Sequence, residues 1–132
     1  MATIAVRGKT EVMGIAPQFL VDDLQRAIAY YCEKLGFELE FVYDSFYAAV
    51  RRDGFSVHLE NAPRLAGERD HRRQNEHLDA YVSVSGIRSL LSELQERGAH
   101  VIRPVEERPW SWVDFYVEDP DGYILCFSEP TA

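Results

Sequence analysis

The sequence predicts an α+β chain of two paired βαβββ modules, forming a curved mixed sheet with helices on its outer face. Three observations carry that prediction. The order strand, helix, strand, strand, strand occurs twice. The glycines that stop the two helices, Gly36 and Gly98, lie 62 positions apart. The last strand pair, Val113 to Phe127, reads unambiguously as strand, tight turn, strand: Val113, Phe115 and Val117 alternate with Asp114, Tyr116 and Glu118. Between them Asp119-Pro-Asp-Gly122 has turn chemistry, with Pro120 presetting φ and Gly122 accepting a positive one. A single such module leaves a sheet face without a partner, so two pair, either within one chain or by exchange between chains.

In order, Gly14 to Val21 alternates as a strand. Asp22 or Asp23 then caps a helix over Leu24 to Leu35, with Leu24, Ala27, Ile28, Tyr31 and Leu35 as its apolar stripe. Strands follow at Glu38 to Tyr43, Phe46 to Arg51 and Phe55 to Glu60, the last two joined by an Asp53-Gly54 turn. Residues 61–76 are polar and charged without periodicity and read as a linker loop. Leu78 to Val84 alternates again, and Ser85 caps a helix with Ile87, Leu90, Leu91 and Leu94 inward. Val101 to Arg103, Val113 to Glu118 and Tyr123 to Ser128 complete the repeat. The chain thus divides into a single domain, 1–132, with a first module over 12–60 and a second over 77–129.

Period-two alternation assigns faces. Val57, Leu59, Leu78, Ala80, Val82, Val84, Val113, Phe115, Val117, Leu125 and Phe127 belong under the helices. The opposite face carries Gln18, Tyr47, Ala49, Arg51, Ser56, His58, Glu60, His77, Asp79, Tyr81, Asp114, Tyr116, Ile124, Cys126 and Ser128. So many hydrogen-bonding side chains on an inward face favour a pocket around His58, Asp79 and Tyr116. Arg51 and Ser128 read instead as solvent-facing.

Composition narrows the partners. With 132 residues, 46% hydrophobic, the chain suits one globular domain. A net charge of −8 argues against nucleic acid and mildly favours a cationic ligand. No apolar run is long enough to span a membrane. Two cysteines, Cys32 and Cys126, and an N-terminus without a signal-peptide core point to the cytoplasm. No phosphate loop, zinc pair or nucleophile elbow is present.

Two segments carry a resemblance. Phe19-Leu-Val-Asp-Asp-Leu-Gln-Arg-Ala-Ile-Ala-Tyr-Tyr31 with Leu35-Gly36-Phe37, and Val117-Glu-Asp-Pro-Asp-Gly-Tyr123, resemble the vicinal oxygen chelate superfamily of glyoxalases, bleomycin-resistance proteins and extradiol dioxygenases. The likeness covers Gly14 to Glu129. Enzymes of that family hold a metal through one ligand on each of four strands. Carried over strand by strand, those positions fall on Ala16, His58, Asp79 (or His77) and Cys126. Ala16 cannot ligate and Cys126 replaces a hard carboxylate, so the expectation is no metal and no catalysis. The resemblance implies a dimer that sequesters a small molecule such as a bleomycin-type antibiotic. Its ligand surface is expected at Trp110, Trp112, Tyr47, His58, Asp79, Asp114 and Tyr116, with Trp110 matching the stacking tryptophan of the bleomycin-resistance branch. The alternative is a lyase, isomerase or dioxygenase using a divalent metal (Fe, Mn, Ni or Zn) on His58, His77, Asp79 and Glu60.

Overall fold

A computed structural model describes residues 11–63, 67–75 and 77–131. The first module runs β1 (Gln18–Val21), α1 (Leu24–Ala29, continued by a π-helical turn over Tyr30–Lys34), β2 (Glu38–Tyr43), β3 (Tyr47–Arg52) and β4 (Phe55–Asn61). A linker helix, α2 (Glu68–Gln74), leads to β5 (Ala80–Ser83), α3 (Ile87–Arg97), β6 (His100–Glu107), β7 (Trp112–Glu118) and β8 (Ile124–Pro130). The sheets are ordered β1-β4-β3-β2 and β5-β8-β7-β6, each with one parallel pair, β1 with β4 and β5 with β8. The repeat is therefore real at the level of topology. Within one chain the strands form two separate four-stranded ladders, here sheet 1 and sheet 2.

One apolar core serves both modules. Val21, Tyr31, Leu35, Val50, Val57 and Leu59 of the first meet Leu94, Phe115, Val117 and Leu125 of the second, all at least 99% buried. Burying each such side chain stabilises the fold by about 1.5–3 kcal/mol before entropy is counted. Asp23 caps α1 through a 3.1 Å bond from the Arg26 amide. At its far end the Leu35 amide reaches back five residues to the Tyr30 carbonyl. That wider turn lets two adjacent tyrosines address the second module. Tyr30 donates to the Glu118 carbonyl and Tyr31 to the Asp119 carboxylate.

The Asp119-Pro-Asp-Gly122 turn is the joint between the halves. Tyr123 stacks on Phe19 at 4.2 Å. Its hydroxyl accepts from the Leu20 amide and donates to the Leu20 carbonyl. Asp121 accepts from the Asp22 amide and pairs with Arg26. On the other flank Arg52 binds the Leu35 carbonyl and forms a two-pronged ion pair with Glu93 of α3.

Several expectations need correction. Residues 11–17 form no ladder, so β1 starts only at Gln18. Pro17 brings no amide proton, although its carbonyl accepts from His58. The linker is not all loop, because α2 is held by arginines: Arg69 and Arg72 on Asp79, and Arg73 on Glu118. Ser85 does not cap α3. Gly86 takes that place in a left-handed conformation, and the Glu129 carboxylate receives the Gly86 and Ile87 amides. The strand expected at Val101 to Arg103 extends to Glu107 with two register shifts. Pro104 is tolerated because β6 is an edge strand. Leu78 precedes β5 and packs on Tyr116, Ile124 and Cys126, opposite to its assigned face. Ser128 is fully buried, not solvent-facing.

Candidate functional site

The inner face of sheet 1 is built from four strands. Register places Gln18 of β1 opposite His58 of β4, and Tyr47 of β3 opposite Glu60. Phe41 and Tyr43 of β2 pair with Ala49 and Tyr47 and so join the same face. The Gln18 amide donates to the Tyr47 hydroxyl at 3.0 Å, which lies 2.9 Å from His58 Nδ1. Phe41 lies nearly parallel to Tyr47 and edge-on to His58, at centroid distances of 6.3 and 6.0 Å. Phe46 meets the edges of Tyr43 and Tyr47. These aromatics are open to solvent, Phe41 at 44% and Tyr43 at 64% exposure. At the rim, Glu40 accepts from Ser56 and pairs with Arg51.

Sheet 2 presents a different surface. Asp114, Tyr116, Ile124 and Cys126 lie buried on its inner face, with Leu78 and Ile102 beside them. Two arginines close over them. Arg103 sits 4.7 Å above the Tyr116 ring and pairs with Glu106. Arg108 binds both Asp114 carboxylate oxygens at 3.1 Å and donates to the Tyr116 hydroxyl at 3.1 Å. Burial raises the Asp114 pKa, with Arg103 opposing that rise. Burial, helped by the Asp114 charge, pushes the Cys126 thiol up to about 12, so it stays protonated at neutral pH. Trp110 stands at the edge of this surface, 61% exposed, with the Arg108 guanidinium 5.7 Å over its ring. Trp112, half-buried, shares the Asp114 and Tyr116 face by alternation.

The residues named from sequence therefore fall into three groups. Tyr47, His58 and Glu60 share the inner face of sheet 1. Trp110, Trp112, Asp114 and Tyr116 belong to sheet 2 and its approach. Asp79 and His77 join neither. The Asp79 carboxylate is engaged by Arg69, Arg72 and the Ile124 amide, and exposed His77 sits edge-on to His71. The His58, Asp79, Tyr116 cluster expected from strand parity is thus not assembled within one chain. Parity holds inside each ladder, but the two ladders are separate and Asp79 lies outside β5. The first ligand position also shifts: Ala16 is exposed ahead of β1, and the residue facing His58 is Gln18. Among the described residues no three His, Cys, Asp or Glu side chains converge on one point.

Sequence reasoning passed over Phe41, Arg103 and Arg108. Phe41 was findable from the hairpin register with Tyr47, whereas the irregularities of β6 hide which face Arg103 takes, and Arg108 lies just past the end of that strand. A separate cleft of about 750 Å3 lies elsewhere, between α3, β5 and the β3–β4 hairpin, floored by Leu35, Phe37, Phe55, Leu90 and Phe127. Of the inner-face residues, Tyr81 and Ser83 of β5 reach it.

Comparison with known proteins places this geometry. A bleomycin resistance protein of Geobacillus stearothermophilus is 27% identical over 125 residues, spanning 84% of this chain and 92% of that one. A bleomycin resistance protein of Staphylococcus aureus (strain N315) matches to the same extent. Among solved structures, the bleomycin-binding protein of Streptomyces verticillus complexed with copper(II)-bleomycin superposes with a TM-score of 0.68 at 23% identity, covering 90% of this chain and 97% of that one. A glyoxalase-related enzyme from Clostridium phytofermentans gives 0.73 at 21% identity, over 95% and 99%. These structural likenesses establish the fold, which has two four-stranded mixed sheets with helices. A family description matching residues 15–127 settles the wider kinship: the chain belongs to the Glyoxalase/Bleomycin resistance protein/Dioxygenase superfamily.

Proposed function

We propose that the protein is a metal-free homodimer of the cytoplasm that binds and sequesters a small molecule, bleomycin-type antibiotics being the precedent among its relatives. One observation carries the reading: the inner face of sheet 1 is a half-exposed aromatic surface, while sheet 2 covers its own inner face with Arg103 and Arg108. A surface of Phe41, Tyr43, Phe46 and Tyr47 left open to water is unusual unless something covers it. A second copy, bringing Trp110 and the sheet 2 arginines against sheet 1, turns that surface into a groove. The edge strands β1 and β5, each paired on one side only, offer the backbone groups for such an association. The metal-free character is supported by the donor set. Asp79 is occupied by two arginines, Cys126 is a fully buried thiol where a hard carboxylate would stand, and Gln18 with His58 supplies two donors where a catalytic divalent site takes three. These residues do not fit a divalent centre.

Titration with bleomycin, followed by tryptophan fluorescence and by sedimentation, tests the proposal. Saturable quenching of a dimer is expected, with Trp110→Ala weakening binding about tenfold or more, as loss of a stacking anchor does. A monomer with unquenched fluorescence counts against it. So does a stoichiometric metal that His58→Ala removes; that result favours the lyase, isomerase or dioxygenase reading.

A further inference from the structure

We propose that Tyr47 is a positioning residue that fixes His58 as the tautomer protonated on Nε2. The open face of sheet 1 then presents a hydrogen-bond donor to an acceptor atom, a carbonyl oxygen or heteroaromatic nitrogen, on a flat ligand. The inference rests on that face being the ligand surface.

The polarity follows from counting protons along a chain of three side chains. The Gln18 amide nitrogen only donates, and it lies 3.0 Å from the Tyr47 oxygen. The phenol has one hydrogen of its own, and the next polar atom, His58 Nδ1, is 2.9 Å away. With Gln18 supplying a proton to the oxygen, and Nδ1 the other polar atom in reach of the phenol, the Tyr47 hydrogen is directed to Nδ1, which then offers its lone pair. A neutral imidazole that accepts at Nδ1 carries its proton on Nε2. Among the described residues nothing bonds Nε2, so its donor is available to a bound molecule. The ring is also held in orientation, standing at 81° to Tyr47 and 85° to Phe41. Phe41 and Tyr47, lying nearly parallel, suit a planar partner over which that donor is aimed.

The same polarity opposes a ligand role for His58. A histidine that binds metal through Nε2 donates its other proton outward from Nδ1. Here that would give the Tyr47 oxygen two incoming protons and send its own hydrogen elsewhere. Gln18, by donating, biases the chain the other way.

The tautomer is read directly from long-range proton–nitrogen correlation of the imidazoles in 15N-labelled protein at mildly alkaline pH. The His58 signals are identified by their loss in His58→Asn. An unprotonated Nδ1 and protonated Nε2 are expected. Gln18→Glu replaces a donor by an acceptor on an exposed side chain, turns the Tyr47 hydroxyl away and should leave Nδ1 protonated. Tyr47→Phe keeps the ring, should give a mixture of tautomers, and should weaken bleomycin binding about three- to tenfold, the worth of one hydrogen bond. A protonated Nδ1 in the unsubstituted protein overturns the inference, as does an unchanged Nε2–H signature in both variants. Because the tautomer is measured without ligand, failure of bleomycin to bind counts separately, against sequestration.

Discussion

Asp119 occupies a site that works against its own charge. Its carboxylate accepts from the Tyr31 hydroxyl at 2.8 Å and from the Asp121 and Tyr123 amides at 2.9 Å. Burial nevertheless outweighs these bonds and, with the Asp121 charge adding to it, lifts the pKa to about 7. An unfolded aspartate titrates near 3.9. Between about pH 4 and 7 the folded chain therefore binds more protons than the unfolded one, and the contribution of Asp119 to stability declines as pH rises through that window. Asp119→Asn should remove this decline, flattening the denaturant midpoint measured at pH 5 and pH 8. The sequence identified Asp119 as a turn residue and nothing more. Its burial depends on Tyr31, which is 88 positions away in the chain and whose approach follows from how the two modules dock. His58 and Tyr47 differ, because both lie on strands of one hairpin and alternation alone puts them on one face.

Among elements, the strands were the most legible, since their apolar and polar residues alternate even where burial does not: β2 is exposed along its length and β7 is buried on both faces. The linker helix α2 was not, and the reason is its composition. Glu68-Arg-Asp-His-Arg-Arg-Gln74 has no apolar stripe, and none of its residues is buried. Its order comes from contacts made by side-chain termini. Arg69 lies 4.0 Å over the Tyr123 ring, donates to the Gly122 carbonyl and pairs with Asp79, while Arg72 adds a bond to the Leu78 carbonyl. A helix held this way has the mixed-charge sequence of a solvated loop. Arg69→Ala should destabilise the protein by about 1–3 kcal/mol, because it leaves the part-buried Asp79 carboxylate with one fewer partner. Faster amide exchange across α2, with α1 and α3 unchanged, distinguishes this effect from global loosening. β6 was half-legible for a related reason: its register shifts break the alternation by which a strand is recognised.

At the scale of the molecule, the repeat predicted two modules but not how firmly they are joined. A common core, the reciprocal Tyr123–Leu20 bonds and the Arg52–Glu93 bridge tie them together. Unfolding should accordingly be a single cooperative transition by both circular dichroism and tryptophan fluorescence. Tyr123→Phe should lower the midpoint, at a cost of about 1–2 kcal/mol, without splitting the transition. Which sheet each polar face meets was not legible, since the alternation of a strand says which face is polar and not what lies opposite it. The turn at Gly122 carries a last consequence. A methyl group there would stand 2.9 Å from the β-carbon of Arg69, an atom too close to its own backbone to swing aside. Any side chain at that bend would have to lift the connecting segment off its seat, so the tightest corner of the second half also determines whether the tether to the first can lie flat.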